Sequence, residues 1–184
     1  MIRTFIALQL EDSLRSRLSE LGRSIPDARP VPPEQIHLTL RFLGDIDGTL
    51  FQDIKEGLTG VVAPPLTMSL CGVGHFPPRG APRVIWAGVE PAAALTGLRS
   101  GINRVLTRIG IPAEERRYHP HVTFARLKGS PIGRIADFLA GNSLLLSPPC
   151  TIESFTLFSS TLTAKGAIHR IEADYPLRRP PTEP

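Results

Sequence analysis

The chain has 184 residues, 41% of them hydrophobic, with 21 Lys and Arg against 17 Asp and Glu, a net charge of +4 and a pI near 9.6. That length suits one domain, or two small lobes sharing a core. The mild basicity favours anionic ligands but lacks the dense Lys/Arg run of a duplex-DNA binder, and no apolar stretch approaches the roughly 18 residues that a membrane span needs.

Residues 3–10 alternate in polarity and are rich in β-formers, so a strand is expected there. Glu11-Asp12-Ser13 then offers a helix start, and Leu14, Leu18, Leu21 and Ile25 follow at helical spacing until Pro26 stops them. Pro30, Pro32 and Pro33 stiffen a loop into a strand over about 35–43. Gly44-Asp45 turns the chain, and Leu50, Ile54 and Leu58 mark a second helix. Strands are expected at 66–74 and 83–90, separated by the Pro/Gly loop 74–82, and helices at about 92–110 and 131–140. Strands near 150–159 and 166–175, joined at Ala164-Lys165-Gly166, close the order. Residues 1–177 read as one domain, and the polar, Pro-rich 178–184 as a disordered tail. With no signal-peptide pattern at the start, a cytoplasmic protein is expected. Cys71 and Cys150 lie in strand-like apolar runs, which suits buried free thiols better than a disulfide or a metal pair.

One motif occurs twice. His37-Leu38-Thr39-Leu40 and His121-Val122-Thr123-Phe124 are both His-x-Thr-x with apolar x, 84 residues apart. On a strand, side chains alternate faces, so His and Thr point one way and the two hydrophobes the other. A single copy is weak evidence; the pair is strong. The same shift carries Leu14 to Leu98, Leu18 to Ile102, Leu21 to Val105 and Ile54 to Phe138. That predicts a duplicated architecture of two pseudo-symmetric lobes, against the plainer reading that amphipathic helices of similar length align by chance. The turn-joined strands near the end of each half favour antiparallel sheets, hence an α+β fold.

Two imidazoles and two hydroxyls in one cleft make a site for an anion with a proton-transfer problem. Imidazoles with an ordinary pKa of about 6.5 can be one neutral and one charged near neutrality. Threonine hydroxyls can hydrogen-bond oxygens where charge develops. No metal is required. Which histidine donates and which accepts is left open by two near-equivalent motifs. His119, two before His121, raises the alternative of a His-x-His metal pair with His37, but no carboxylate or thiol stands at a supporting spacing. His119 is otherwise a rim residue, His75 an exposed loop residue, and His169 a partly buried structural histidine sharing a face with Ile171, Ala173 and Tyr175. Phe5, Phe42, Phe76, Trp86 and Tyr118 are the aromatics available to stack on a base, with core packing the plainer role for each. Phe5 and Phe76 are the two carried forward. Arg41, four after His37, has the parity to face the cleft. Arg126, five after His121, does not, unless its strand ends or twists.

With Arg41-Phe42-Leu43-Gly44 after the first motif and Ala125-Arg126 after the second, the chain resembles the two-histidine phosphoesterases, and within them the RNA 2′,3′-cyclic phosphodiesterase group, historically called 2′-5′ RNA ligases. The likeness runs from Arg3-Thr4-Phe5-Ile6-Ala7-Leu8 to Asp174-Tyr175-Pro176-Leu177. It implies two antiparallel sheets with helices on their outer faces and the active site in the cleft between. It also implies hydrolysis of RNA 2′,3′-cyclic phosphate ends, or of small cyclic nucleotides, to 2′-phosphates without a cofactor. His37 is then the proton donor to the O3′ leaving group and His121 the acceptor for water, with Thr39 and Thr123 on the phosphate and Arg126 contacting it. A monomer is expected. Two alternatives stand beside this reading: joining a 2′,3′-cyclic phosphate to a 5′-hydroxyl as a 2′-5′ linkage, and a non-catalytic RNA or nucleotide-binding module on the same scaffold.

Overall fold

The computed structural model describes residues 1–114, 117–164 and 166–179. Lys165 of the expected turn, and the expected tail from 180 onward, lie outside the described residues. The elements run β1 (Ile2–Gln9), α1 (Asp12–Arg23), β2 (Ala28–Pro30), a 3-10 turn at Pro33–Gln35, β3 (His37–Ile46), α2 (Gly48–Gly57), β4 (Leu66–Phe76), β5 (Val84–Glu90), α3 (Ala92–Arg108), β6 (His121–Leu127), α4 (Ile132–Gly141), β7 (Cys150–Ile152), β8 (Ser154–Thr163) and β9 (Gly166–Pro176). β4 runs on through Gly74, His75 and Phe76, so His75 is a half-buried strand residue rather than part of a loop.

Helix α2 starts where Asp47 accepts hydrogen bonds from the Thr49 and Leu50 amides at 2.9 Å, satisfying two amides that a helix start leaves open. In α3, Leu95, Leu98, Ile102 and Leu106 form one buried stripe. Together with Leu14 and Leu18 of α1, they pack on the apolar face of the sheet, where Leu38, Leu40, Val122 and Phe124 are all buried. Gly22 lets α1 sit directly on β6: a Cβ there would lie 2.6 Å from the Phe124 carbonyl oxygen.

Every strand pairing is antiparallel, and the order β7-β4-β5-β6-β3-β1-β8-β9 makes one nine-stranded sheet, with β2 alongside β6. The expected pair of sheets is thus joined, through a single residue pair, Leu38 opposite Val122. Strands are also exchanged: β4 pairs with β5, and β8 returns to pair with β1. The first strand of the chain is therefore interior to the sheet, flanked by β3 and β8. Helices cover one face; the other carries the site.

Candidate active site

Strands β3 and β6 present the two motifs from the centre of the sheet. Their first seven residues share one burial pattern, with His37, Thr39, His121 and Thr123 half-buried and Leu38, Leu40, Val122 and Phe124 buried. Carrying the Leu38–Val122 register one residue either way sets Thr39 across from His121 and His37 across from Thr123. His37 and His121 lie near enough to act on each other electrostatically, His121 contributing to the lowering of the His37 pKa. The two strands share only this one pair, which opens a cleft on either side of it.

Each strand also carries a bulge at the equivalent place. Ile6 pairs with Arg41 and Ala7 with Thr39, skipping Leu40; Ile85 pairs with Ala125 and Trp86 with Thr123, skipping Phe124. An extra residue reverses the alternation beyond it. Arg126 therefore returns to the histidine face, and it lines the same cavity as His37. Arg41, expected in the cleft by simple parity, is buried at 7% exposure and lines the cavity beside His121. Its guanidinium pairs with Glu114 at 3.1 Å and donates to the Pro112 carbonyl at 2.6 Å. Arg99 meets the same Glu114 carboxylate at 2.8 Å, donates to the Leu40 carbonyl and lies under the Tyr118 ring; Tyr118 in turn donates to the Thr39 carbonyl. Arg41 thus fastens the segment leading into His121 onto β3.

The histidines are held alike. His37 Nδ1–H donates to the Gln35 carbonyl at 2.8 Å and His121 Nδ1–H to the His119 carbonyl at 2.7 Å. Since a carbonyl only accepts, Nδ1 carries the proton in both rings and Nε2 is left for a ligand. Each ring rests on aromatics. Phe5 stacks on His37 at 4.8 Å and on Phe158 at 5.0 Å, and Phe5, Ala7 and Phe158 form a small apolar cluster apart from the main core. At 3% exposure, Phe5 is the platform under His37 and has no face to offer a base, which corrects its expected stacking role. Phe76 stands edge-on to His121 at 4.9 Å, with Trp86 and His119 beside them. The His119 and His121 rings lie near-parallel, 6.3 Å apart and 23° from coplanar, and among the described residues no group of three His, Cys, Asp or Glu is placed to hold a metal ion.

Burial, then the neighbouring His169, push the His37 pKa down to about 4; the Gln35 carbonyl opposes this, while Arg126 and His121 add to it. Burial also lowers His121, with the His119 carbonyl opposing. Both shifts favour neutral imidazoles at neutral pH.

Two cavities flank the β3–β6 junction and share Thr39 and Phe42. One, of about 470 Å³, holds His37, Arg126, Arg29, Arg3 and His169, and no carboxylate among the described residues lines it. The other, of about 590 Å³, is walled by His121, Phe76, Pro77, Pro78, Arg83 and Tyr118. Phe42, 47% exposed where they meet, is the best-placed ring for a base. His169 reaches the site because β9 skips Glu172: Leu157 pairs with Ala173 and Phe158 with Ile171. It therefore shares a face with exposed Ile171 and not with buried Tyr175, contrary to simple alternation. Nothing local in the sequence marks that skip. Cys71 and Cys150 are free thiols away from the site.

The sequence matches the family described as LigT like phosphoesterase over residues 8–86 and 88–169. It is 31% identical over 172 residues to the RNA 2′,3′-cyclic phosphodiesterase of Archaeoglobus fulgidus, covering 92% of this chain and 97% of that one. To the protein of the same name from Thermus thermophilus it is 34% identical over 188 residues, covering 96% and 91%. A solved Thermus thermophilus structure superposes with a TM-score of 0.75 at 28% identity, over 96% of this chain and 98% of that one. E. coli LigT, solved with 3′-AMP, has the same fold at 21% identity, with a TM-score of 0.77 over 97% and 99%.

Proposed function

The chain belongs to the LigT like phosphoesterase family, and from that premise we propose that it is an RNA 2′,3′-cyclic phosphodiesterase that opens cyclic phosphate ends to 2′-phosphates by His/His acid–base catalysis. The relatives that span nearly its whole length carry that name. The observation that carries the mechanism is the pairing of the two motif strands at Leu38–Val122, which brings the two His-x-Thr segments side by side.

A 2′,3′-cyclic phosphate is a strained five-membered ring about an anionic phosphorus. Water attacks in line with the bond that breaks, so base and acid must stand on opposite sides of phosphorus. His121 Nε2 takes the water proton, and the P–O bond to water forms. The P–O3′ bond breaks as His37 Nε2–H protonates O3′, leaving the phosphate on O2′. Thr39 and Thr123 hydroxyls donate to the non-bridging oxygens as charge builds there, and Arg126 neutralises it. His37 becomes charged only as the anion arrives, because the phosphate offsets the burial and the like charges that keep the empty ring neutral. Both proton transfers are thus covered by side chains, with no metal needed. RNA ends as substrate put the work in the cytoplasm, and each chain carries a complete site, so a monomer suffices.

The test is purified protein with an oligonucleotide ending in a 2′,3′-cyclic phosphate, in EDTA, reading the position of the product phosphate. A 2′-phosphate is expected. A 3′-phosphate would exchange the leaving group and overturn the roles of His37 and His121; activity abolished by EDTA would overturn the metal-free mechanism. The 590 Å³ cavity beside His121 favours one second reading, because a water nucleophile needs far less room. Filled by an RNA 5′-hydroxyl, the same site would run 2′-5′ joining, with water at ~55 M normally favouring hydrolysis by microscopic reversibility.

A further inference from the structure

The cleft contains a third histidine that neither motif includes. His169 enters from β9 and stands edge-on to His37, with centroids 5.4 Å apart and planes at 86°, and edge-on to Phe5 at 4.9 Å. Its Nδ1 is buried and has no hydrogen-bond partner. The charged and titratable groups facing it are His37 on β3, Arg126 on β6, Arg29 on β2 and Arg3 on β1. Asp45 meets Arg3 at 3.9 Å and does not line the cavity. On its own strand, Glu172 and Asp174 are engaged by the Ser159 and Thr156 hydroxyls. Gln35 ties the two sides together, donating from its side chain to the Ala167 carbonyl at 2.7 Å while its own carbonyl anchors His37. β9 is therefore fastened to the loop that aims the donor ring.

Two imidazoles beside the Arg126 guanidinium make a place where an added anion is favoured and where a ring can charge once that anion is there. Resting on the phosphoryl site proposed above, we propose that His169 is a further substrate-binding residue: it takes up a proton when the anion enters and, with Arg126, holds a phosphoryl oxygen on the His37 side. In the empty cleft burial, then Arg126, lower the His169 pKa, so the ring is neutral and free to accept that proton. Anion binding then takes up more protons than His37 alone would accept.

The probe is inorganic phosphate. Calorimetric titrations at pH 6 and 7.5, in two buffers of different ionisation enthalpy, give the affinity and the protons taken up. His169→Phe keeps a ring against Phe5 and His37 but cannot protonate; His169→Gln keeps a hydrogen-bonding group without a proton. Both should take up fewer protons than wild type, and at pH 6 His169→Phe should bind phosphate roughly tenfold more weakly, the size of one lost charged hydrogen bond. Unchanged affinity and proton uptake in both variants would overturn the proposal. NMR titration of the His169 ring in the wild-type protein needs no variant to fold: its pKa should rise on adding phosphate, and an unmoved pKa would equally overturn the idea. A wild type that binds phosphate in this way yet leaves cyclic phosphates intact would refute the catalytic reading and leave the anion site standing.

Discussion

His37 and His121 share an anchor, a carbonyl two residues back that fixes the tautomer, and differ in how deeply the cleft desolvates them. Replacing either by Gln should lower kcat by about 10²- to 10⁴-fold, the range of a lost proton-transfer group, with the circular dichroism spectrum unchanged. Because His37 has a pKa of about 4 in the free enzyme and must be charged to donate, kcat/KM should fall about tenfold per pH unit above pH 6.5. The bound anion raises that pKa, so kcat should hold to higher pH; parallel profiles for kcat and kcat/KM would contradict it. Stability has the matching sign. The unfolded chain binds a proton on His37 near pH 6.5 and the folded chain does not until about 4, so stability is lost as pH falls through that window. The loss is at most about 1.4 kcal/mol per pH unit, less where the open cleft screens it. Urea midpoints at pH 7, 6 and 5 would measure this, and His37→Gln should flatten the trend.

At the scale of the element, bulges decide what the strands present. The pairing skips at Leu40, Phe124 and Glu172 aim Phe42, Arg126 and His169 at the cavity that holds His37, while Arg41 lines the cavity beside His121 with its guanidinium on Glu114. Simple alternation holds for the His and Thr of both motifs because no skip falls between them, and it fails for residues on opposite sides of one, such as His121 and Arg126 or His169 and Tyr175. A bulge depends on what the partner strand offers, and local composition does not reveal it. Gly74 shows a second long-range dependence: a Cβ there would lie 2.3 Å from the Trp86 ring, which stands 4.9 Å from His119 and 6.0 Å from His121. Gly74→Val should cost about 1–3 kcal/mol by overpacking and lower kcat/KM as Trp86 shifts. Gly133→Ala, with open space around its Cβ, should do neither. Chemical denaturation and steady-state assays on the two variants separate these outcomes.

On the scale of the whole molecule, a net charge of +4 is gathered where it matters, with Arg3, Arg29 and Arg126 lining one cavity. kcat/KM for an oligonucleotide should therefore fall with salt, with a logarithmic slope of about −0.7 for each phosphate held. A mononucleoside 2′,3′-cyclic phosphate should show a shallower slope. Equal slopes would mean that only the terminal phosphate is gripped. The exchanged strands also make the architecture non-local: β1 is closed on one side by β8, from the far end of the chain. Contacts of that span fold slowly and as a unit.

By itself the sequence determined the four helices, the long strands apart from their ends, the antiparallel α+β class and the two His-x-Thr-x motifs, because each is written in residues a few positions apart: period-2 and period-3.6 hydrophobicity, prolines at the breaks, one tetrad repeated. It missed β2, the break between β7 and β8, and the run of β3 through Gly44-Asp45 to Ile46. Only the tertiary structure decided that the sheets join into one, that the β4–β5 pair lies beside β6 and β8 beside β1, and that His169 enters the cleft while Arg41 is taken up by Glu114. Strand order, bulges and burial arise from contacts between residues remote in the chain, and their energies depend on which partner surfaces meet.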